Sequence, residues 1–203
     1  MKQERKAEVI NQLPKVEIEG NQIQVFISPE QLANRVKELA DQISADYKNQ
    51  ELILIGVLKG SNVFLVDLSR ELGTDRLERG RSPKLVKIGF VGTSSYGSKT
   101  DSSGEVKQTI RLDTDIKGKH VIIVEDIADT RITLEWLLKL AHAQNPASVR
   151  VCVALNKESR NQTNAKLDYV GFDIPDEFVV GYGLDLNEEF RNLPFVGILL
   201  KKS

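Results

Sequence analysis

One cysteine, one methionine, one tryptophan and two histidines are all that this 203-residue chain holds of those types. Each shortage removes a class of chemistry. With Cys152 alone, no intrachain disulfide can form, which excludes a disulfide-stapled scaffold and suits a reducing compartment. Cys152 lies in the apolar run Val149–Leu155 and reads as a small core hydrophobe. His120 and His142 stand far apart with no metal-ligand spacing, one at a strand entry and one near a helix end. No apolar stretch approaches the roughly 20 residues of a membrane span, so no membrane partner is expected. The opening MKQERKAEVINQLP carries charge but no apolar core of a secretory signal, and a cytoplasmic location is expected. Lys and Arg number 28 against 29 Asp and Glu, a net charge of −1. No basic field exists to hold nucleic acid, and none is expected as a partner. Repeats, heptads and low-complexity blocks are absent as well.

What the chain does have is a series of short, unbroken apolar runs. Leu52–Leu58, Leu85–Val91, Val121–Val124 and Val149–Leu155 read as strands buried on both faces. Between them lie helical patterns at Asn62–Leu72 and Ile132–Ala143, and repeating strand–helix units predict a mainly parallel sheet flanked by helices. Before them, Gln22–Ser28 alternates as a strand. Ser28-Pro29-Glu30-Gln31 then combines an N-cap, a proline at N1 and a capping-box glutamine. The helix that follows carries Leu32, Val36, Leu39, Ala40 and Ile43 at helical spacing. Gly73–Pro83 reads as a charged, turn-rich connection. Short strands and glycines fill Asp168–Asp185, and Phe195–Leu200 ends the chain's strands. A single domain over 1–203 is expected, with a core of about residues 30–165 and a small hood from about 1–29 and 166–203.

The chemistry concentrates at one turn. After Val124 come two adjacent acids, Glu125 and Asp126, then the polar turn Asp129-Thr130-Arg131 and the start of a helix. A helix N-terminus offers N–H groups and a positive dipole end, so this turn can hold a phosphate, with Thr130 and Thr133 adding hydroxyls. The acid pair suits what a phosphate site does not bind: sugar hydroxyls or Mg²⁺. Together they fit a phosphorylated sugar. Lys59 and Gly60 follow the buried run Leu52–Leu58 at the same sheet edge, where a lysine can meet a phosphate. The Gly- and Ser-rich stretch 92–104 is either plain surface or a lid, and its one aromatic, Tyr96, favours a lid.

The pattern E-D-I-x-D-T-x-x-T after an apolar strand resembles the phosphoribosyl-pyrophosphate (PRPP) motif of the purine phosphoribosyltransferases. LKGS, Ser95-Tyr96-Gly97 and DEFVVGYGLD resemble further segments of that family, in the same order. The resemblance implies the type I phosphoribosyltransferase fold. It also implies transfer of 5-phosphoribosyl from PRPP to N9 of a 6-oxopurine, hypoxanthine or guanine, with Mg²⁺ as cofactor and a homodimer or homotetramer as the assembled state. Carried over residue by residue, it gives Glu125, Asp126, Asp129, Thr130, Arg131 and Thr133 to the ribose phosphate. Lys59, Gly60 and Arg191 go to pyrophosphate, and Asp185 goes to the metal with Glu125 and Asp126. Phe178 would stack on the purine, Val179 would offer backbone groups to its edge, and Lys157 would donate to its O6. Asp129 would serve as general base or hydrogen-bond partner at N7, and Ser95 and Tyr96 would close over the reaction centre. Read alone, Phe178 is a core aromatic and Arg191 a surface charge.

One departure stands out. The family pattern has glycine where this chain has Arg131, and arginine tolerates a positive φ poorly. Either the loop takes another path or the side chain supplies a cation to the phosphate. A nucleotide-binding regulator of the same fold, or a weakly active member, is therefore the alternative reading. An ATPase of the P-loop type is excluded, because no G-x-x-x-x-G-K-[ST] precedes the acidic strand.

Overall fold

The apolar runs become neighbouring strands of one sheet. The computed structural model describes residues 14–80, 83–95, 106–112 and 114–200. In chain order the elements are β1 (Lys15–Ile18), β2 (Asn21–Ile27), α1 (Pro29–Asp46), β3 (Glu51–Leu58), α2 (Asn62–Arg79), β4 (Leu85–Ser95) and β5 (Val106–Ile110). They continue with β6 (His120–Ala128), α3 (Ile132–His142), β7 (Ser148–Asn156), a 3₁₀ turn (Glu158–Arg160), β8 (Tyr169–Asp173), β9 (Val179–Val180) and β10 (Val196–Leu199). Two compact units result, one spanning Arg35–Asp176 and the other Met1–Asn34 with Glu177–Ser203.

The larger unit carries a six-stranded sheet in the order β5-β4-β3-β6-β7-β8. Every pair is parallel except β4 with β5. Parallel neighbours need crossover connections: α2 supplies the one from β3 to β4, and α3 the one from β6 to β7. α2 lies against β3 and β6, and α3 against β5 and β7. Ile53, Ile55, Val121, Ile123, Val151 and Val153 alternate along three adjacent strands and meet Leu134, Leu137 and Ala141 of α3 in one core. Cys152 is fully buried, as a core residue should be, and burial pushes its thiol well above the usual range.

At the edge where the parallel strands begin, His120 opens β6 and Arg150 binds Asp46 and the Tyr169 hydroxyl, its guanidinium 5.3 Å from the Tyr47 ring. That edge is occupied by packing. The opposite edge, where the strands end, carries the loops of interest.

Two boundaries differ from expectation. The stretch Gly73–Arg79, read as a turn-rich connection, continues α2, which stops at Gly80 with φ +61. Gly80 supplies the left-handed C-cap that ends a helix, whereas Gly73 is only a weak former inside one. β8, assigned by sequence to the hood, pairs with β7 in the larger sheet. Gly171 permits that approach: a Cβ there would lie 3.0 Å from the carbonyl carbon of Ala154.

The smaller unit holds an antiparallel sheet, β1-β2-β10-β9, around Ile23, Val180 and Phe190. The capping box before α1 forms in both directions. The Ser28 N–H donates to Gln31 Oε1 at 2.8 Å, and the Gln31 N–H to Ser28 Oγ at 3.2 Å.

Candidate active site

β6 delivers the acid pair. Its buried half, Val121–Val124, runs straight into Glu125, whose Oε2 is buried without a hydrogen-bond partner. Burial, with Asp126 alongside, holds the Glu125 carboxyl well above the ordinary carboxylate range. An orphaned buried oxygen at the end of a parallel strand is a place for a ligand hydroxyl. Asp126 Oδ1 accepts the Ile127 N–H at 2.9 Å. Its carboxylate also lies against Gly60, where a Cβ would fall 2.5 Å from Asp126 Cγ. Gly60 is thus the residue that lets the β3–α2 turn and the acid pair share one space. The Leu58–Lys59 peptide is cis, and Lys59 is exposed on the same turn.

After Ala128 the turn leads to α3. No side chain caps that helix, so its leading N–H groups keep the capacity to bind an anion. Thr130 and Thr133 are half-buried there. Arg131 adopts φ +63 and ψ +8, the left-handed geometry that glycine takes without penalty. The loop therefore keeps a glycine-like path despite the arginine. Nor does the guanidinium enter the cradle as an added cation. It is almost fully buried, bonded to Glu158, to Asn156 Oδ1 at 2.9 Å and to the Ala165 carbonyl at 3.3 Å.

The end of β7 brings Lys157 alongside. Its N–H donates to the Ala128 carbonyl at 2.9 Å, and its buried side chain reaches Asp176 at 3.6 Å. Arg160 bonds Asp129 Oδ1 through Nε at 2.9 Å and approaches Asp176 at 3.7 Å. The carboxylate expected as a base and the amine expected at O6 are thus held by a shared pair of opposite charges. Sequence reasoning missed Arg160 and Asp176, which look like solvated charges. The one signal was the charged run Lys157-Glu158-Ser159-Arg160 directly after a buried strand.

In the smaller unit, Phe178 is 52% exposed while Val179 and Val180 are buried. An aromatic left outside its core is available to stack on a ligand. Val179 pairs with Ile198, which places its backbone in β9. Arg191 bonds Asp185 at 2.8 Å and the Gly183 carbonyl at 2.8 Å, and the Glu188 N–H donates to Asp185 Oδ2. Here the expected pyrophosphate ligand and the expected metal ligand pair with each other. Of the lid, Ser95 closes β4 opposite Val106; Tyr96 lies outside the described residues.

Among the described residues no group of three or more His, Cys, Asp or Glu is placed to hold a metal by itself. Mg²⁺ carried by a phosphorylated substrate needs only one or two protein carboxylates. Glu125, with its unpartnered oxygen, and the adjacent Asp126 are two carboxylates of that kind on one strand. Among the same residues no helix is long and apolar enough to cross a membrane.

Residues 28–187 match the family described as the phosphoribosyl transferase domain. The hypoxanthine-guanine phosphoribosyltransferase of Mycobacterium tuberculosis (strain ATCC 25618 / H37Rv) is 43% identical over 181 residues, covering 86% of this chain and 85% of that protein. That of Bacillus subtilis (strain 168) is 40% identical over 86% of this chain and 92% of that protein. Among solved structures, a hypoxanthine-guanine phosphoribosyltransferase from Bacillus anthracis str. 'Ames Ancestor' superposes with a TM-score of 0.78. It is 42% identical and covers 87% of this chain and 98% of that one. With strand, acid pair, anion turn and matched sequence in agreement, the chain belongs to the phosphoribosyl transferase family, in its hypoxanthine-guanine branch.

Proposed function

We propose that this chain moves 5-phosphoribosyl from PRPP to N9 of hypoxanthine or guanine, giving IMP or GMP and pyrophosphate, as a purine-salvage transferase. The observation that carries the reading is the buried, unpartnered Glu125 oxygen beside Asp126, at the head of a turn whose helix no side chain caps. Hydroxyl acceptors and an anion cradle stand together there, as a ribose phosphate requires. Nothing favours the nucleotide-binding regulator, since Arg131 leaves the loop's path intact.

In this reading the N–H groups and hydroxyls of Thr130 and Thr133 hold the 5′-phosphate, and Glu125 and Asp126 take the ribose hydroxyls. Lys59, Gly60 and Arg191 bind the departing pyrophosphate, whose charge grows as the bond to C1′ breaks. Asp185 and the acid pair would hold Mg²⁺, which would supply positive charge against the departing pyrophosphate. Phe178 stacks on the purine, the Val179 backbone meets its edge, and Ser95 and Tyr96 exclude water that would hydrolyse PRPP. Lys157 donates to O6. Asp129 accepts from N7 or takes its proton.

Formation of IMP from purified protein, PRPP, Mg²⁺ and hypoxanthine tests the whole; absence of product ends it. Lys157 adds a sharper test, because adenine offers a donor where hypoxanthine offers an acceptor. Lys157→Gln is expected to lower kcat/KM for hypoxanthine by about tenfold and to narrow its advantage over adenine, read from competing substrates. An unchanged preference would remove Lys157 from base selection.

The same proposal includes a cytoplasmic location and self-assembly as a homodimer or homotetramer. Ile88 and Phe90 share one face of β4 and are 45% and 37% exposed, apolar surface that a second copy can cover. Ile88→Asp is expected to shift the oligomer toward monomer in light scattering; an unshifted mass would place the interface elsewhere.

A further inference from the structure

The connection after β7 holds the turn 128–133 at several points along its length. The Lys157 N–H donates to Ala128, the Gln162 N–H to Thr130 at 3.1 Å, and the Thr163 hydroxyl to the Arg131 carbonyl at 3.5 Å. Two arginines cross the gap in opposite directions. Arg160 reaches back to Asp129, and Arg131 reaches forward to Asn156, Glu158 and Ala165. Asn156 in turn donates to Asp173 Oδ1 at 2.7 Å, at the end of β8. The Arg131 side chain is only 8% exposed, although a left-handed arginine costs about 1–2 kcal/mol. A residue that keeps an unfavourable backbone while burying a charge must gain something from the contact.

We infer that Arg131 is a positioning residue. Its guanidinium is a strut that fixes the turn 128–133 to the β7–β8 connection before PRPP arrives, and that guanidinium does not itself bind the phosphate. The inference rests on the phosphoribosyl-transfer reading for what the turn holds. It separates from the rival role through Glu158. Were the guanidinium a phosphate ligand, weakening its hold on Glu158 would release it toward the anion and tighten PRPP binding. For a strut, loosening either end weakens binding.

Arg131→Gly, Arg131→Lys and Glu158→Gln are compared with the unaltered chain for PRPP KM, kcat, IMP affinity and amide exchange across 128–133. Arg131→Gly is expected to raise the PRPP KM and the IMP Kd about tenfold, because placement of the turn is lost. Its Tm should hold, since glycine accepts φ +63 without strain. Glu158→Gln should move both constants in the same direction by about threefold, and lysine should restore only part, lacking the planar fork. Exchange in the turn should quicken in all three. Opposite signs for Arg131→Gly and Glu158→Gln, or no change in either, would overturn the strut. If the unaltered chain makes no IMP, the function has failed instead, and amide exchange still reads the strut.

Discussion

Asp129→Asn is expected to lower kcat for hypoxanthine about a hundredfold while leaving the PRPP KM within about twofold, the loss that a general base at N7 of the purine predicts. Asparagine has the shape of aspartate and keeps an oxygen for Arg160, whose Nε bonds Asp129 Oδ1 at 2.9 Å. The turn should therefore stay in place while the basic oxygen is lost. Asp129 is 40% exposed, so the exchange leaves no buried group without a partner. Steady-state kinetics with each substrate varied in turn, alongside IMP titration, separates the two quantities. A kcat within twofold of the unaltered chain would make Asp129 an anchor for Arg160 and nothing more.

Gly60→Ala should be more damaging than its size suggests. The added methyl would meet Asp126 head-on, 1.6 Å from Oδ2 and 2.5 Å from Cγ, well inside van der Waals contact. Gly60 is not left-handed, so the cost is steric rather than conformational. Asp126 must rotate away, giving up its Ile127 N–H bond, or the β3–α2 turn must shift and carry Lys59 with it. Either movement displaces a group assigned to PRPP, and kcat/KM for PRPP should fall about a hundredfold. The stability cost of such overpacking is smaller, about 1–3 kcal/mol. A double-mutant cycle isolates the cause. With Asp126→Ala in place, Gly60→Ala should cost almost nothing further, because the methyl then finds room. Additive losses would point to a different origin.

Much of the architecture could be read from patterning. Unbroken apolar runs marked the parallel strands, the Ser28–Gln31 box marked the start of α1, and the acid pair after Val124 marked the carboxyl end of β6. These signals are local, written in periodicity and in residue types with strong backbone preferences. α2 was cut short at Gly73 because glycine inside a helix and glycine ending one look alike until the αL geometry at Gly80 is seen. β8 was misplaced because a short strand containing a glycine gives little period-2 signal of its own. The charge partners were hidden for a different reason. Asp129 and Arg160, Lys157 and Asp176, and Arg131 and Glu158 are separated in sequence by loops whose courses no spacing reveals.

Residue order by itself determined the sheet-forming segments, the residue types at the turn after β6 and membership in the family, because each is written in the order of residues along the chain. Only the tertiary structure decided where the Arg131 guanidinium lies. Whether a charged side chain reaches solvent, an anion or a carboxylate depends on what β7 and its following connection place beside it. That is a matter of packing across the sheet, which no short stretch of sequence contains.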